Sequence, residues 1–61
     1  MVGAINLEDG VWIGTGAVIC GGVNCKSHSV LTAGSVAIGD LDAYSIYQGN
    51  PAVKIKERVI A

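Results

Sequence analysis

The stretch IGTGAVICGGVNCKSHSVLTAGSV, from Ile13 to Val36, repeats a pattern every six residues. In units of six it reads IGTGAV, ICGGVN, CKSHSV and LTAGSV. The first places hold Ile13, Ile19, Cys25 and Leu31, and the fifth places hold the small or branched residues Ala17, Val23, Ser29 and Ser35. A short fixed repeat is the signature of a solenoid, in which each unit buries its apolar face only by stacking on its neighbours.

The six-residue register extends on both sides of this stretch. It runs back through LEDGVW to MVGAIN and forward, less regularly, into AIGDLD, where Ala37 takes the first place and Leu41 the fifth. The nine glycines suit the corners between short strands, because glycine adopts positive φ without steric cost. Repeated glycine also disfavours a helix, by about 1 kcal/mol each. The sequence predicts an all-β solenoid over residues 1–42 and a separate strand, turn and basic tail over residues 43–61.

The size and composition of the chain restrict its function. Its 61 residues form one domain at most, and such a small domain buries only about 60% of its unfolded surface. Self-association is therefore the expected source of further stability. A net charge of −1 excludes a broadly basic nucleic-acid surface. The sequence has neither an apolar run long enough to span a bilayer nor the layout of a signal peptide, so no membrane contact and a cytoplasmic location are expected.

Two cysteines and one histidine carry the chemistry of metal ligands. A structural zinc site needs four ligands, and the repeat turns Cys20 outward and Cys25 inward. Neither a metal site nor a disulfide is therefore expected. His28 has the chemistry of a general base, because an unperturbed imidazole titrates near pH about 6.5. Its place in the repeat favours an exposed corner or a subunit contact. No residue is therefore assigned as catalytic, and His28 is kept only as a weak candidate.

Several segments resemble a known family. VWIGTGAVICGGV, AGSV and GNPA followed by basic residues are similar to the C-terminal third of hexapeptide-repeat acyltransferases, in particular the sugar and polysaccharide O-acetyltransferases. The resemblance covers about the whole chain. It implies a left-handed parallel β-helix of about two coils with a short C-terminal capping tail. It also implies a homotrimer that binds acyl-CoA in a groove between neighbouring subunits.

The resemblance further assigns residues to an acetyl-CoA site. Thr15, Ala33 and Gly34 are expected to line the groove with their backbone, and Lys56 and Arg58 to hold the phosphates by charge-assisted hydrogen bonds. In the family the catalytic histidine lies upstream of the segment that matches VWIG, so the resemblance implies that it is not among these 61 residues. The prediction is thus an acyl-CoA-dependent O-acetyltransferase, as a truncated C-terminal portion without that histidine. The alternative is a non-catalytic trimeric β-helix that serves assembly or CoA binding.

Outward residues indicate where the chain meets other copies of itself. Trp12 precedes an inward position and should point outward, and large aromatic residues are enriched at interfaces. Val18, Val30 and Val36 are expected to extend the same outer apolar surface. At the N-terminal end, residues 1–10 present unpaired backbone and a cross-section of the interior, and such edges invite association. A homotrimer and end-to-end pairing of two trimers are therefore expected.

Overall fold

The computed structural model describes residues 5–59 and consists of short strands joined by tight turns. Within that range there is no helix, and hence none that is long and apolar enough to cross a membrane. The strands are β1 (Asn6–Leu7), β2 (Trp12–Ile13), β3 (Val18–Ile19), β4 (Asn24–Cys25), β5 (Val30–Leu31), β6 (Val36–Ala37), β7 (Ser45–Gly49) and β8 (Ala52–Glu57). The predicted all-β fold class is confirmed.

The first six strands stack in parallel and form the three sides of a β-helix. β1 pairs with β4, β2 with β5 and β3 with β6, and each partner lies 18 residues further along the chain. One coil therefore consists of three six-residue units. Main-chain hydrogen bonds join the coils, as where the Gly14 N–H donates to the Leu31 carbonyl at 2.8 Å. The described residues complete about two coils, as predicted.

The core lies along the axis of the coils. Its buried apolar residues are Val23, Cys25, Leu31, Ala37 and Leu41. Three serines are buried beside them, namely Ser29, Ser35 and Ser45. The Ser35 hydroxyl bonds to Thr32 and accepts the Gly49 N–H at 3.0 Å, whereas the Ser29 hydroxyl has no partner among the described residues. The inward direction predicted for the first and fifth places is confirmed in the buried middle of the chain.

The seventh unit departs from the predicted register. Leu41 bridges to Cys25, so it occupies a first place of the repeat and the prediction of a fifth place was wrong. Pairings beyond this point are spaced by 16 residues, as between Val30 and Ile46. The corner at residues 38–40 is therefore two residues shorter than the corresponding corner of the preceding coil.

A side chain compensates for the shortened corner. In the preceding coil the Asn6 N–H donates to a main-chain carbonyl, that of Val23, at 3.2 Å. The equivalent Asn24 N–H donates instead to the Asp40 carboxylate at 2.9 Å. The Asn24 side-chain amide donates to the other oxygen of Asp40 at 3.4 Å. These bonds lower the pKa of the Asp40 carboxyl from its usual 3.8.

Asp40 should make the stability of the fold depend on pH. Because its folded-state pKa lies below the unfolded value of 3.8, the stabilisation is complete above that pH and is lost as the pH falls through the folded pKa. We expect Asp40→Asn to lower the melting temperature at neutral pH and to approach the wild type in acid. Melting curves from neutral to acid pH test this, with Asp9→Asn as a control that removes an exposed corner carboxylate. Identical pH profiles for the two variants would contradict the expectation.

The tail forms a hairpin that widens one side of the β-helix. β7 pairs in parallel with β5, and β8 pairs antiparallel with β7, which gives the strand order β2-β5-β7-β8. Asn50-Pro51 lies between the two strands of this hairpin. The structure has a turn there, because Ala52 already pairs with Gly49 and the chain continues as β8.

The outward valines are not equally exposed. Trp12 and Val18 point outward as predicted and are 64% and 52% exposed. Val30 is only 5% exposed, so the prediction of an open surface there was wrong. The reason is its position between Trp12 and Ile46 on the two neighbouring strands. Val36 is half-buried beside Val18.

Candidate functional site

Two corners of the β-helix carry the residues that the sequence singles out. The glycine corner, residues 14–16 and 32–34, follows β2 and β5. The histidine corner, residues 8–10, 26–28 and 42–44, precedes β2, β5 and β7. The third residue of each of these turns has positive φ, as at Gly34 (73°) and His28 (60°). The two corners therefore share a backbone conformation and lie at opposite ends of the same strands.

The glycine corner brings Thr15, Ala33 and Gly34 together. All three are exposed, and the Gly34 N–H donates to the Thr15 carbonyl at 3.0 Å. Gly14 lies directly against Ala33, because a Cβ added at Gly14 would clash with the Ala33 nitrogen and lie 2.8 Å from its Cα. Among the described residues, the Ala33 N–H donates to no other group. It is therefore an unpaired main-chain donor in an exposed turn, and the facing Gly14 has no side chain to cover it.

The histidine corner closes the equivalent donor with a side chain. Ser27 holds the place in its turn that Ala33 holds in the glycine corner. The Glu8 carboxylate accepts hydrogen bonds from the Ser27 N–H and from its hydroxyl, both at 2.9 Å. Glu8 and Gly14 are the second residues of adjacent hexapeptides. The glutamate therefore caps the Ser27 N–H, whereas the glycine at the same place leaves the Ala33 N–H without a cap.

His28 lies in the histidine corner. It is half-buried, and its ring lies over Gly10, where an added Cβ would be 2.9 Å from the His28 Cγ. The His28 and Tyr44 rings stack with their centroids 4.8 Å apart. Strand β5 separates His28 from the glycine corner. The structure therefore places the one catalytic candidate away from Thr15, Ala33 and Gly34.

The basic residues follow β8 from one corner towards the other. Lys54 is exposed beside Tyr47 and pairs with Glu57, whose hydrogen bond raises the pKa of Lys54. Lys56 is exposed beside Ile46. Arg58 reaches the histidine corner, so it is not brought to the glycine corner. The direction of β8 also places Lys54, which the sequence analysis left out of the site, nearer the glycine corner than Lys56 and Arg58.

Cysteine chemistry contributes little to this region. Cys20 is half-buried, Cys25 is buried, and both are free. Burial raises the pKa of the Cys25 thiol, and the charge of Asp40 raises it further. Among residues 5–59, no three histidine, cysteine, aspartate or glutamate side chains lie close enough to hold a metal ion. This part of the chain also encloses no pocket of its own.

This chain is similar to known proteins in both sequence and fold. No protein-family model matches the sequence. A 2,3,4,5-tetrahydropyridine-2,6-dicarboxylate N-acetyltransferase of Clostridium perfringens is 46% identical over 50 residues, which are 82% of this chain and 21% of that enzyme. A maltose O-acetyltransferase of Clostridium difficile matches with a TM-score of 0.89 and 33% identity, over 95% of this chain and 31% of that one.

A third match names the repeat itself. A hexapeptide-repeat-containing acetyltransferase of Vibrio cholerae, crystallised with acetyl-coenzyme A, matches with a TM-score of 0.87 and 36% identity, over 92% of this chain and 31% of its own. The relatives of this chain are hexapeptide-repeat acetyltransferases. The resemblance predicted from the sequence is confirmed, and the β-helix is the left-handed parallel type that it implied. The chain spans about a quarter of the length of the first curated acetyltransferases that it matches.

Proposed function

We propose that the chain supplies the acyl-CoA-binding part of an O-acetyltransferase. The observation that carries the proposal is the glycine corner, where the Ala33 N–H has no acceptor among the described residues and Gly14 places no side chain against it. The pantetheine arm of CoA contains amide carbonyls that accept hydrogen bonds from such donors. The backbone of Thr15 and Gly34 flanks this donor and would line the same groove. The Vibrio cholerae relative that contains acetyl-coenzyme A supports this choice of ligand.

Acetyl transfer needs more than a thioester site. The acceptor hydroxyl attacks the thioester carbonyl, a base takes the hydroxyl proton, and the CoA thiolate leaves. The glycine corner contains only glycine, threonine and alanine, none of which is a base at neutral pH. The proposal therefore assigns the base and the acceptor site to the part of the family's length that this chain does not span. The relatives act on different acceptors, since one is an N-acetyltransferase and one an O-acetyltransferase.

The phosphates of CoA require cations. We place them along β8, with Lys56 and Arg58 as their ligands. Lys56 is exposed on this strand. Arg58 uses one terminal nitrogen for two carbonyl bonds, and a guanidinium has five N–H donors, so its other nitrogens retain donors for a phosphate. We also propose that the protein is cytoplasmic, because free cysteines are typical of that reducing compartment.

Calorimetry with CoA and with 3′-dephospho-CoA tests the ligand. We expect the wild type to prefer CoA by about tenfold, which corresponds to about 1.4 kcal/mol. Lys56→Gln should remove that preference, whereas Lys26→Gln, which takes the same charge from the histidine corner, should retain it. Equal affinity of the wild type for the two ligands would contradict the phosphate role, and no binding of either would contradict the site.

The second candidate function is a non-catalytic trimeric module that assembles or binds CoA. The composition of the glycine corner favours it, because no proton acceptor lies there. Acetyl-CoA consumption against a panel of sugars and aminosugars separates the two functions for the isolated chain. We expect negligible turnover. Robust turnover that His28→Ala abolishes would show that His28 is a catalytic base and that the chain is a complete enzyme.

Two sides of the β-helix are suited to self-association. Trp12 on β2 and Val18 on β3 are exposed and lie on the sides that flank the glycine corner. The third side is polar, with Asn6 donating to Asn24 at 2.7 Å. A threefold trimer would cover the two apolar sides and leave the polar side in water. The glycine corner would then lie at the subunit boundary, where the proposed CoA groove belongs.

Sedimentation equilibrium tests the trimer. We expect the wild type to sediment with three times the monomer mass, or six times where two trimers pair end to end. Trp12→Arg should lose the trimer because a desolvated charge would face the partner. Val59→Arg is the control, since Val59 is 89% exposed and lies outside both apolar sides. A folded wild-type monomer at micromolar concentration would contradict the trimer.

The N-terminal end offers a further contact. Leu7 and Ile5 are 56% and 41% exposed there, although Leu7 holds a first place of the repeat. We include end-to-end pairing of two trimers in the proposal on this ground. In the same sedimentation experiment Leu7→Lys should halve the mass of such an assembly. An unchanged mass would show that the end-to-end contact does not form.

A further inference from the structure

One residue, Arg58, binds the three successive turns of the histidine corner. Gly10, His28 and Tyr44 occupy the same place in their turns and have φ values of 75°, 60° and 55°. The Arg58 Nη1 donates to the Gly10 carbonyl at 2.7 Å and to the His28 carbonyl at 3.2 Å. The Arg58 main-chain N–H donates to the Tyr44 carbonyl at 2.7 Å. Arg58 therefore ties the end of the hairpin to the first coil, 48 residues away.

The hydrogen bonds of the Arg58 side chain are stronger than ordinary neutral ones. The guanidinium is charged, and hydrogen bonds from a charged donor are about twice as strong as neutral ones. Within residues 5–59 it forms no salt bridge, so the carbonyls are its partners there. His28 and Tyr44 are not glycine, and a left-handed conformation costs such residues about 1–2 kcal/mol each. The contacts of Arg58 help to hold these two turns in that conformation.

Strand β8 is attached by its antiparallel pairing with β7 and by further contacts at its two ends. It is the outer strand of its sheet, and five of its six residues are exposed, so it buries little apolar surface. At the glycine corner it is fixed by the pairing of Ala52 with Gly49, whose N–H donates to the buried Ser35 hydroxyl. At the other end Glu57 pairs with Ser45, and Arg58 adds the contacts with the histidine corner.

We propose that Arg58 is a positioning residue that clasps β8 to the side of the β-helix. By fixing the strand, the clasp holds Lys56 in place for a phosphate, a consequence that rests on the proposed function. The clasp itself stands on the contacts of the histidine corner and is independent of any ligand. Loss of the guanidinium should loosen β8 and the turn at Tyr44 and leave the buried coils unchanged.

Hydrogen exchange measured by mass spectrometry without ligand tests the clasp. We expect Arg58→Gln to raise the exchange rate of the β8 amides by at least about tenfold, the effect of losing about 1.4 kcal/mol of local stability. Lys56→Gln removes the same charge two residues earlier, within β8, and should leave exchange unchanged. Arg58→Lys keeps the charge without the fork of donors and should give an intermediate rate, also confined to β8 and the Tyr44 turn.

The outcomes separate the clasp from the proposed function. Exchange of β8 that is unchanged in Arg58→Gln, or raised equally in Lys56→Gln, would overturn the clasp. If Arg58→Gln unfolds the whole chain, Arg58→Lys decides, and slow exchange of its β8 would overturn the clasp. With CoA present, Arg58→Gln should lose the preference for CoA over its dephospho form together with the protection of β8. A wild type that binds no CoA would contradict the proposed function alone, because the exchange result does not involve the ligand.

Discussion

Replacing Gly14 by alanine is expected to destabilise the fold by about 3 kcal/mol and to abolish acyl-CoA binding. The added Cβ would lie 2.8 Å from the Ala33 Cα and 2.9 Å from the Thr32 carbonyl carbon. These are main-chain atoms that cannot rotate away, so two coils would have to separate. Overpacking costs about 1–3 kcal/mol, and a rigid contact belongs at the upper end of that range. The same methyl group would cover the Ala33 N–H, which is the donor proposed for CoA.

Two other glycines provide matched controls. Gly39 has no heavy atom within 4 Å of an added Cβ and lies outside the left-handed region, so Gly39→Ala should raise stability by about 0.4–1 kcal/mol. Gly34 also has open space but a φ of 73°, so Gly34→Ala should cost about 1–2 kcal/mol. Urea denaturation ranks the three variants. A Gly14→Ala protein as stable as Gly39→Ala would show that the coils are not in close contact at this corner.

The repeat was predictable because its six-residue period is regular over most of the chain. Each hexapeptide stacks on the unit 18 residues away, so the inward places of one coil fix those of the next. Leu31 and Cys25 are accordingly fully buried, and Trp12 is exposed. The resemblance added handedness and the grouping of Thr15 with Ala33, which the period alone does not contain.

Two predictions failed. In one case a side chain replaces a main-chain hydrogen-bond acceptor, and in the other a strand from later in the chain covers the residue. Leu41 moved to a first place because the Asp40 carboxylate satisfies the Asn24 N–H and permits a shorter corner. A six-residue count cannot reveal that substitution. Val30 is buried because Ile46, from beyond the shortened corner, lies beside it. Both effects depend on contacts between coils rather than on the order of residues within a unit.

The candidate site was likewise predictable only in part from the sequence. The contrast between Glu8 and Gly14 was present in the sequence, at the second place of adjacent units, but its meaning depends on which N–H each residue faces in the next coil. The position of Arg58 depends on the pairing of β8 with β7, which includes an irregularity between Ile46 and Tyr47. The charge of Arg58 indicated a role in binding phosphate. Only the geometry of the hairpin showed that Arg58 also binds the histidine corner.

The largest loss of stability is expected from Leu31→Ala. Leu31 is fully buried and pairs with Ile13 in the coil on one side and with Tyr47 on the other. Truncating a buried leucine to alanine costs about 2–5 kcal/mol, because the cavity collapses only in part. A core this small supplies only about 3–5 kcal/mol in total. The variant should therefore be largely unfolded at 25 °C under conditions in which the wild type is folded.

Leu7→Ala is the matched control, because Leu7 holds the same first place of the repeat but is 56% exposed at the open end. Within one copy of the chain its truncation removes little buried surface and should cost about 0.5 kcal/mol. Urea denaturation followed by circular dichroism measures both variants, at one protein concentration because association adds to the apparent stability. Equal losses for the two leucines would mean that the interior at Leu31 is no better packed than the open end, and that stability comes from contacts between copies rather than from the coils themselves.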